Sequence, residues 1–239
     1  MLLLALFMPW AANAQTTVTI GEGTATSNTN PIGTYYNYSI TEQLYTAEEI
    51  GMAGTISSIS FYYMGIAAND LPITVYMANV DAEDLTSGIS LADAEQVFSG
   101  TLPVTTTAGW VTINLATPFA YDGTSSLLIG FIKDYLYYFS GQSWQGTATT
   151  TTMARYTQSD SAGPYTTSTV PGSTQTNRPN IQMVIEASSG PYCAKPSGVT
   201  VDYTGGTTAQ VSWNSDAASF NIDVNGTVTN NVTNPYTLT

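Results

Sequence analysis

An all-β chain of two sandwiches follows from three observations. Apolar residues alternate with polar ones in one short segment after another, which is the period of a half-buried strand. Gly, Pro, Asn and Asp punctuate those segments at short intervals, as turns require. Charge is sparse, at 9% of residues, so Thr, Ser, Asn, Gln and Tyr do most of the solvation. Thr and Tyr suit a pleated, half-buried surface, and few stretches show helical periodicity.

The elements run in order from the amino terminus. Leu2 to Met8 is an apolar run, Pro9 breaks it, and Ala12-Asn13-Ala14 places small residues before Gln15, which predicts a secretory signal peptide over residues 1–14. The run is too short to span a bilayer, and no other segment is long and apolar enough to do so. Residues 15–187 then have the length of one β-sandwich domain. Five alternating rows supply its core: Ile59, Phe61 and Tyr63; Ile73, Val75 and Met77; Val111, Ile113 and Leu115; Leu127, Ile129 and Phe131; Ile181, Met183 and Ile185. Thr46-Ala47-Glu48-Glu49 has capping-box spacing, and Ala82 to Gln96 is rich in Ala, Asp and Leu, so one or two short helical turns are expected among them. The Thr147 to Thr152 run reads as an edge strand or an exposed loop. No repeat period recurs, which excludes a solenoid or propeller.

The small, polar run Ala187-Ser188-Ser189-Gly190-Pro191 ends in proline and marks a linker over residues 188–195. Beyond it, residues 196–239 carry three alternating rows: Val199, Val201 and Tyr203; Ala209, Val211 and Trp213; Phe220, Ile222 and Val224, with a fourth strand starting at Tyr236. From Pro191 to Thr239 the chain has about half of the roughly 100 residues of a complete sandwich, so this second module is expected to be incomplete and the chain to be part of a longer one. Cys193 is the single cysteine and stands at the entrance to that module. An odd cysteine in an exported protein points to a disulfide partner outside the chain, the alternative being a lone buried thiol.

Pro196, Val199 and Val201, then Ala209-Gln210-Val211-Ser212-Trp213, then Phe220-Asn221-Ile222-Asp223-Val224 resemble the first strands of a fibronectin type III domain. The resemblance implies that Trp213 packs in the core. The larger part, from Ile20 to Ile185, resembles the jelly-roll-like β-sandwich domains of secreted and surface proteins of Bacteroidetes. That resemblance rests on Tyr38-Ser39, Gln43 to Ile50, Gly54 to Tyr63, Val97-Phe98-Ser99-Gly100, Trp110, Pro118 to Gly123 and Asn180-Ile181-Gln182. It implies a fold, an extracellular or cell-surface location and an adhesin-like role, and it transfers no catalytic residue. The expected architecture is therefore all-β, a jelly-roll-like sandwich followed by an incomplete fibronectin type III sandwich.

Composition narrows the chemistry. Four basic residues face seventeen acidic ones, a formal charge of −13, which makes a nucleic-acid partner electrostatically unfavourable. Histidine is absent, which removes Ser-His-Asp and Cys-His nucleophiles and every His-bearing zinc site. There is no phosphate-binding loop, dinucleotide fingerprint or cysteine pair, so no cofactor is expected. Carboxylates remain, but nothing marks a pair such as Glu48 and Glu49 as a glycosidase dyad. Asp81, Glu83 and Asp84, with Asp70, are candidate oxygen ligands for a structural calcium ion, although their spacing is not that of an EF-hand.

Tyr135, Tyr137, Tyr138, Phe139 and Trp144 form the densest aromatic run, and Asp134, Gln142 and Gln145 lie beside it. Planar rings next to hydrogen-bonding side chains make a carbohydrate platform, the competing use being core packing. Asp160-Ser161-Ala162 resembles the short O-glycosylation sequon of Bacteroidetes and marks Ser161 as a candidate acceptor. These readings converge on a non-enzymatic secreted or surface protein that binds a glycan or an extracellular host or matrix protein. The alternatives are an ancillary region of a larger exported hydrolase and a structural subunit of a surface fibre or matrix.

Overall fold

The computed structural model describes residues 15–65, 71–102, 104, 106–136, 138–187, 197–214, 220–224 and 227–238. The chain divides into two compact units at Ala187/Ser188. The first contains β1 (Gln15–Ile20), β2 (Ala25–Ser27), β3 (Tyr38–Tyr45), a single helical turn α1 (Ala47–Ile50), β4 (Gly54–Tyr63), β5 (Leu71–Val80), β6 (Glu95–Leu102) and β7 (Gly109–Tyr121). It continues with β8 (Ser126–Asp134), β9 (Trp144–Ala148), β10 (Ala154–Ser159), β11 (Ser173–Gln175), β12 (Asn177–Pro179) and β13 (Ile181–Ala187).

Pairings among β2 to β9 define the topology. One sheet contains β2-β9-β4-β7, with β9 meeting β4 at Trp144/Tyr63, and the other contains β3-β8-β5-β6. Every pair is antiparallel, and the chain alternates between sheets except at the β5–β6 hairpin. That order of eight strands is a jelly roll. The remaining strands widen it: β13 and β1 extend from the flank of β4, β12 pairs β9, and β10 and β11 extend the second sheet beyond β3.

All five alternating rows point inward and form one core, which also takes in Tyr45, Phe119, Tyr121 and Trp144. Phe61 and Phe131, one from each sheet, meet edge to face at 5.6 Å between ring centres. Around the core, α1 follows its sequence signature. Thr46 accepts from the Glu49 N–H, Glu49 accepts from the Thr46 N–H, and Gly51 ends the turn at φ +71°. The Glu49 carboxylate also holds Arg178 at 2.5 Å, and the Arg178 guanidinium lies 4.7 Å over the Tyr45 ring.

No helix forms over Ala82 to Gln96: residues 81–94 are irregular and β6 begins at Glu95. Leu85 and Leu91 instead lie over the outer face of the second sheet, on Ile40, Leu44, Leu128, Ile132 and Met153. Burying two leucines over a sheet outweighs the weak helix propensity of the segment. Buried Arg155 pins this cover from β10, donating to the carbonyls of Leu85, Thr86, Pro171 and Gly172 at 2.7–3.2 Å. Opposite it in register stands Glu42, fully buried, whose Oε2 accepts the Ile89 N–H at 3.2 Å. Its Oε1 finds no hydrogen-bond partner among the described residues. Burial pushes the Glu42 carboxyl up to about 7, against the opposing pull of the Ile89 N–H and the Arg155 charge.

The second unit has β14 (Ser197–Gly205), β15 (Thr208–Asn214), β16 (Phe220–Val224), β17 (Thr227–Val232) and β18 (Tyr236–Leu238). The β14-β15-β18 sheet packs on the β16-β17 hairpin around Val211, Trp213 and Val232, with Phe220 set edge to face on Trp213 at 4.9 Å. Strand β17 carries almost no apolar alternation, so the sequence does not announce it. Val199, Val201 and Tyr203 are not core residues, being 59%, 57% and 85% exposed. Val201 shares a face with its partner Val211, but the hairpin covers β15 and not β14. No helix among the described residues is long and apolar enough to cross a membrane.

Candidate functional site

Three segments converge at one end of the jelly roll because the strands that carry them are neighbours. Tyr38 at the start of β3 pairs with Asp134 at the end of β8 and with Ser159 at the end of β10. The segments 28–37, 135–143 and 160–163 therefore emerge side by side.

Segment 28–37 is anchored from below by buried amides and hydroxyls. Asn30 Nδ2 donates to Gln43 Oε1 at 2.6 Å and to the Arg155 carbonyl at 3.0 Å, Thr41 Oγ1 donates to the Pro31 carbonyl, and Ser39 Oγ donates to the Gly33 carbonyl at 2.9 Å. Backbone bonds then join it to the next segment: Phe139 N–H to Thr34 O at 2.8 Å and Tyr135 N–H to Asn37 O at 3.2 Å. Asn37 ties it to the third, its N–H donating to Asp160 Oδ1 at 3.1 Å. Gly163 lies against Tyr38 so closely that a Cβ there would stand 2.1 Å from Tyr38 Cγ.

Lys133 holds the arrangement together from inside. It is fully buried, and its ammonium donates to the carbonyls of Tyr36 and Asn37, both at 2.7 Å, and of Tyr135 at 2.9 Å. An ammonium has three protons, and all three are spent on the two segments. Burial brings its pKa down to about 8, with the carboxylates of Asp134 and Asp160 acting in the opposite direction.

What this framework presents to solvent is aromatic. Tyr35 is 50% exposed and Tyr138 61%, and their rings meet at 5.9 Å, tilted by 58°. Tyr36 closes edge-on against Tyr35 at 5.2 Å. The Tyr35–Tyr138 pair forms a wall between two grooves. One, of about 310 Å³, is lined by Tyr35, Asn28, Thr34, Phe139, Gln142 and Ser143 among others. The other, of about 680 Å³, is lined by Tyr138, Leu136, Asn37 and Asp160. Both volumes fall in the range of small-ligand sites.

The aromatic run of the sequence is split by the fold. Tyr138 stands on the wall and Tyr135 is partly exposed beside it, whereas Tyr137 lies outside the described residues. Trp144 leaves the platform altogether: at 1% exposure it fills the core against Tyr63, because β9 begins there and alternation turns it inward. Gln142 is buried at the edge of the smaller groove. Asp134 faces a separate depression of about 260 Å³ between β5, β6 and β8, beside Thr74 and Ser99. Tyr35, Asn37 and Asp160 escape the sequence reading because about a hundred residues separate them from Tyr138 or they lie in a polar loop. The Tyr35-Tyr36 doublet next to a strand start was the available signal.

The other candidates stand elsewhere. Asp81 and Glu83 are exposed, and Asp84 is committed to the Thr86 N–H at 2.8 Å, which lowers its pKa. No group of three His, Cys, Asp or Glu side chains converges in a metal-holding arrangement among the described residues. Asp70, named with these three carboxylates, lies outside the described residues. Ser161 is exposed, with its N–H donating to Ser159 Oγ at 3.1 Å. Cys193 lies outside the described residues. No protein-family model matches the chain, and no curated protein matches it.

Proposed function

We propose that the chain is a secreted or cell-surface binding protein without catalytic activity, and that the loop end of its jelly roll recognises a glycan. The observation that carries this reading is the exposed Tyr35–Tyr138 wall, flanked by two grooves and held by buried hydrogen bonds. Exposed rings offer a sugar both apolar area and an electron-rich face, and Asn28, Asn37, Ser143 and Asp160 offer hydrogen bonds to hydroxyls. A preformed surface loses little entropy on binding, which suits a ligand held by weak individual contacts. The second unit then serves as a spacer of fibronectin type III kind.

A glycan array probed with the wild-type chain and with the Tyr35→Ala/Tyr138→Ala double variant tests the reading. Wild-type signals that the double variant loses support it. An empty array, together with capture of an extracellular matrix protein by both forms, would replace it with protein recognition at another surface.

A further inference from the structure

Resting on the reading of the tyrosine wall as a glycan platform, we infer that its ligand is an uncharged oligosaccharide of at least two sugar units, bound astride the wall with sugars in both grooves. Acidic glycans are refused.

The refusal follows from where the positive charge has gone. Of the four basic residues, three are described, and all three are buried: Lys133 at 0% exposure, Arg155 at 8% and Arg178 at 4%. Their donors are committed inside the protein. Lys133 serves three carbonyls of the site segments, Arg155 four carbonyls of the cover, and Arg178 the Leu44 carbonyl and the Glu49 carboxylate. The described surface thus offers no exposed cation. A uronate or sulfate in either groove would meet no exposed counter-charge and would enter the field of a chain with net charge −13; in the larger groove it would also stand close to the exposed Asp160, whose carboxylate already faces the buried Lys133 charge. At physiological salt the Debye length is about 8 Å, so Asp160 acts on a ligand in its own groove almost unscreened. A neutral sugar meets none of this, and its hydroxyls can donate to the same carboxylate as charge-assisted hydrogen bonds.

Length follows from the wall. Tyr35 belongs to one groove and Tyr138 to the other, with their rings in contact. A single sugar can occupy one side only. A ligand with two or more linked rings covers both faces of the wall, and the second contact is intramolecular, so affinity rises steeply when the ligand becomes long enough to straddle. Asn37 and Asp160, both lining the larger groove, are already bonded to each other, so the second contact does not wait for the loops to order.

Calorimetric titration of the full chain against two oligosaccharide series of increasing length tests this. One series is neutral (cello-, manno- and chito-oligosaccharides) and the other acidic (oligogalacturonates and hyaluronan fragments). A neutral series should bind, with at least about a tenfold gain in affinity on passing from one sugar unit to two or three, and the acidic series should bind at least about tenfold more weakly at physiological salt. Tyr35→Ala and Tyr138→Ala should each remove the length dependence, and Asp160→Asn should narrow the gap between the two series. Acidic oligomers binding as tightly as neutral ones, or a monosaccharide binding as well as a long oligomer, would overturn the inference. If Tyr138→Ala abolished that binding, the glycan reading itself would survive. No binding by any member of either series would overturn both.

Discussion

Lys133 frames the candidate site from within, and none of it reaches solvent. Its three hydrogen bonds convert two adjacent loops into one surface, and the burial that makes those bonds strong also depresses its pKa. Lys133→Met keeps the apolar stem but takes the ammonium donor from three carbonyls, of which that of Asn37 keeps the Tyr135 N–H; a buried carbonyl that loses its donor costs about 1–3 kcal/mol. The variant should be less stable by at least about 2 kcal/mol in urea unfolding and should bind ligand at least about tenfold more weakly, whereas Asp134→Asn should do neither. Glu42 is the opposite case, a buried carboxyl under the cover segments. Its pKa is raised from 4.5 to about 7, so the folded state holds a proton that the unfolded chain has released. Stability from this group is complete below pH 4.5 and is lost as pH rises towards 7, by roughly 3 kcal/mol across the window. Thermal melts between pH 5 and 7 should show wild-type stability falling with pH and Glu42→Gln nearly flat; parallel curves would mean that Glu42 is solvated.

At the scale of elements, what the sequence shows and what it hides separate along physical lines. Strands buried on one face announce themselves by alternation, and all five apolar rows lie in the core. Strand β3 does not, because Ser39, Thr41, Glu42 and Gln43 are buried polar residues, three of them bonded to the 30–33 segment and Glu42 to the Ile89 N–H through one oxygen only. Residues 81–94 have a helical composition, yet tertiary burial of Leu85 and Leu91 decides their path. Within the aromatic run, Trp144 and Tyr138 could not be told apart by residue type. The start of β9 divides them, one into the core and one onto the wall. Their variants should therefore behave oppositely. Trp144→Ala should cost about 3–5 kcal/mol of stability, while Tyr138→Ala should change stability by no more than about 0.5 kcal/mol and weaken a long oligomer to the affinity of a single sugar. Gly163→Ala forces the 160–163 segment away from Tyr38 and should weaken binding by displacing Asp160.

The whole molecule combines a strongly acidic chain with cations hidden wherever they are described. Glu42 favours the folded state on the acid side of about pH 7. Lys133, whose pKa falls from 10.5 to about 8, favours it as pH rises through 8 towards 10.5, where the folded amine releases its proton first. Together they place a shallow minimum of stability between about pH 7 and 8, to be sought in melting temperature against pH at constant ionic strength. The same distribution of charge leaves the described surface with no exposed cation to offer an anion. The jelly roll contributes the geometry: β3, β8 and β10 are neighbours in one sheet, and for that reason segments distant in sequence share one surface. Hydrogen exchange of the full chain with and without a bound neutral oligosaccharide tests most directly whether the ligand sits on this surface. New protection is expected in residues 34–38, 135–143 and 160–163 with little change elsewhere; protection confined to β14, with the tyrosine segments unchanged, would contradict a ligand on the tyrosine wall.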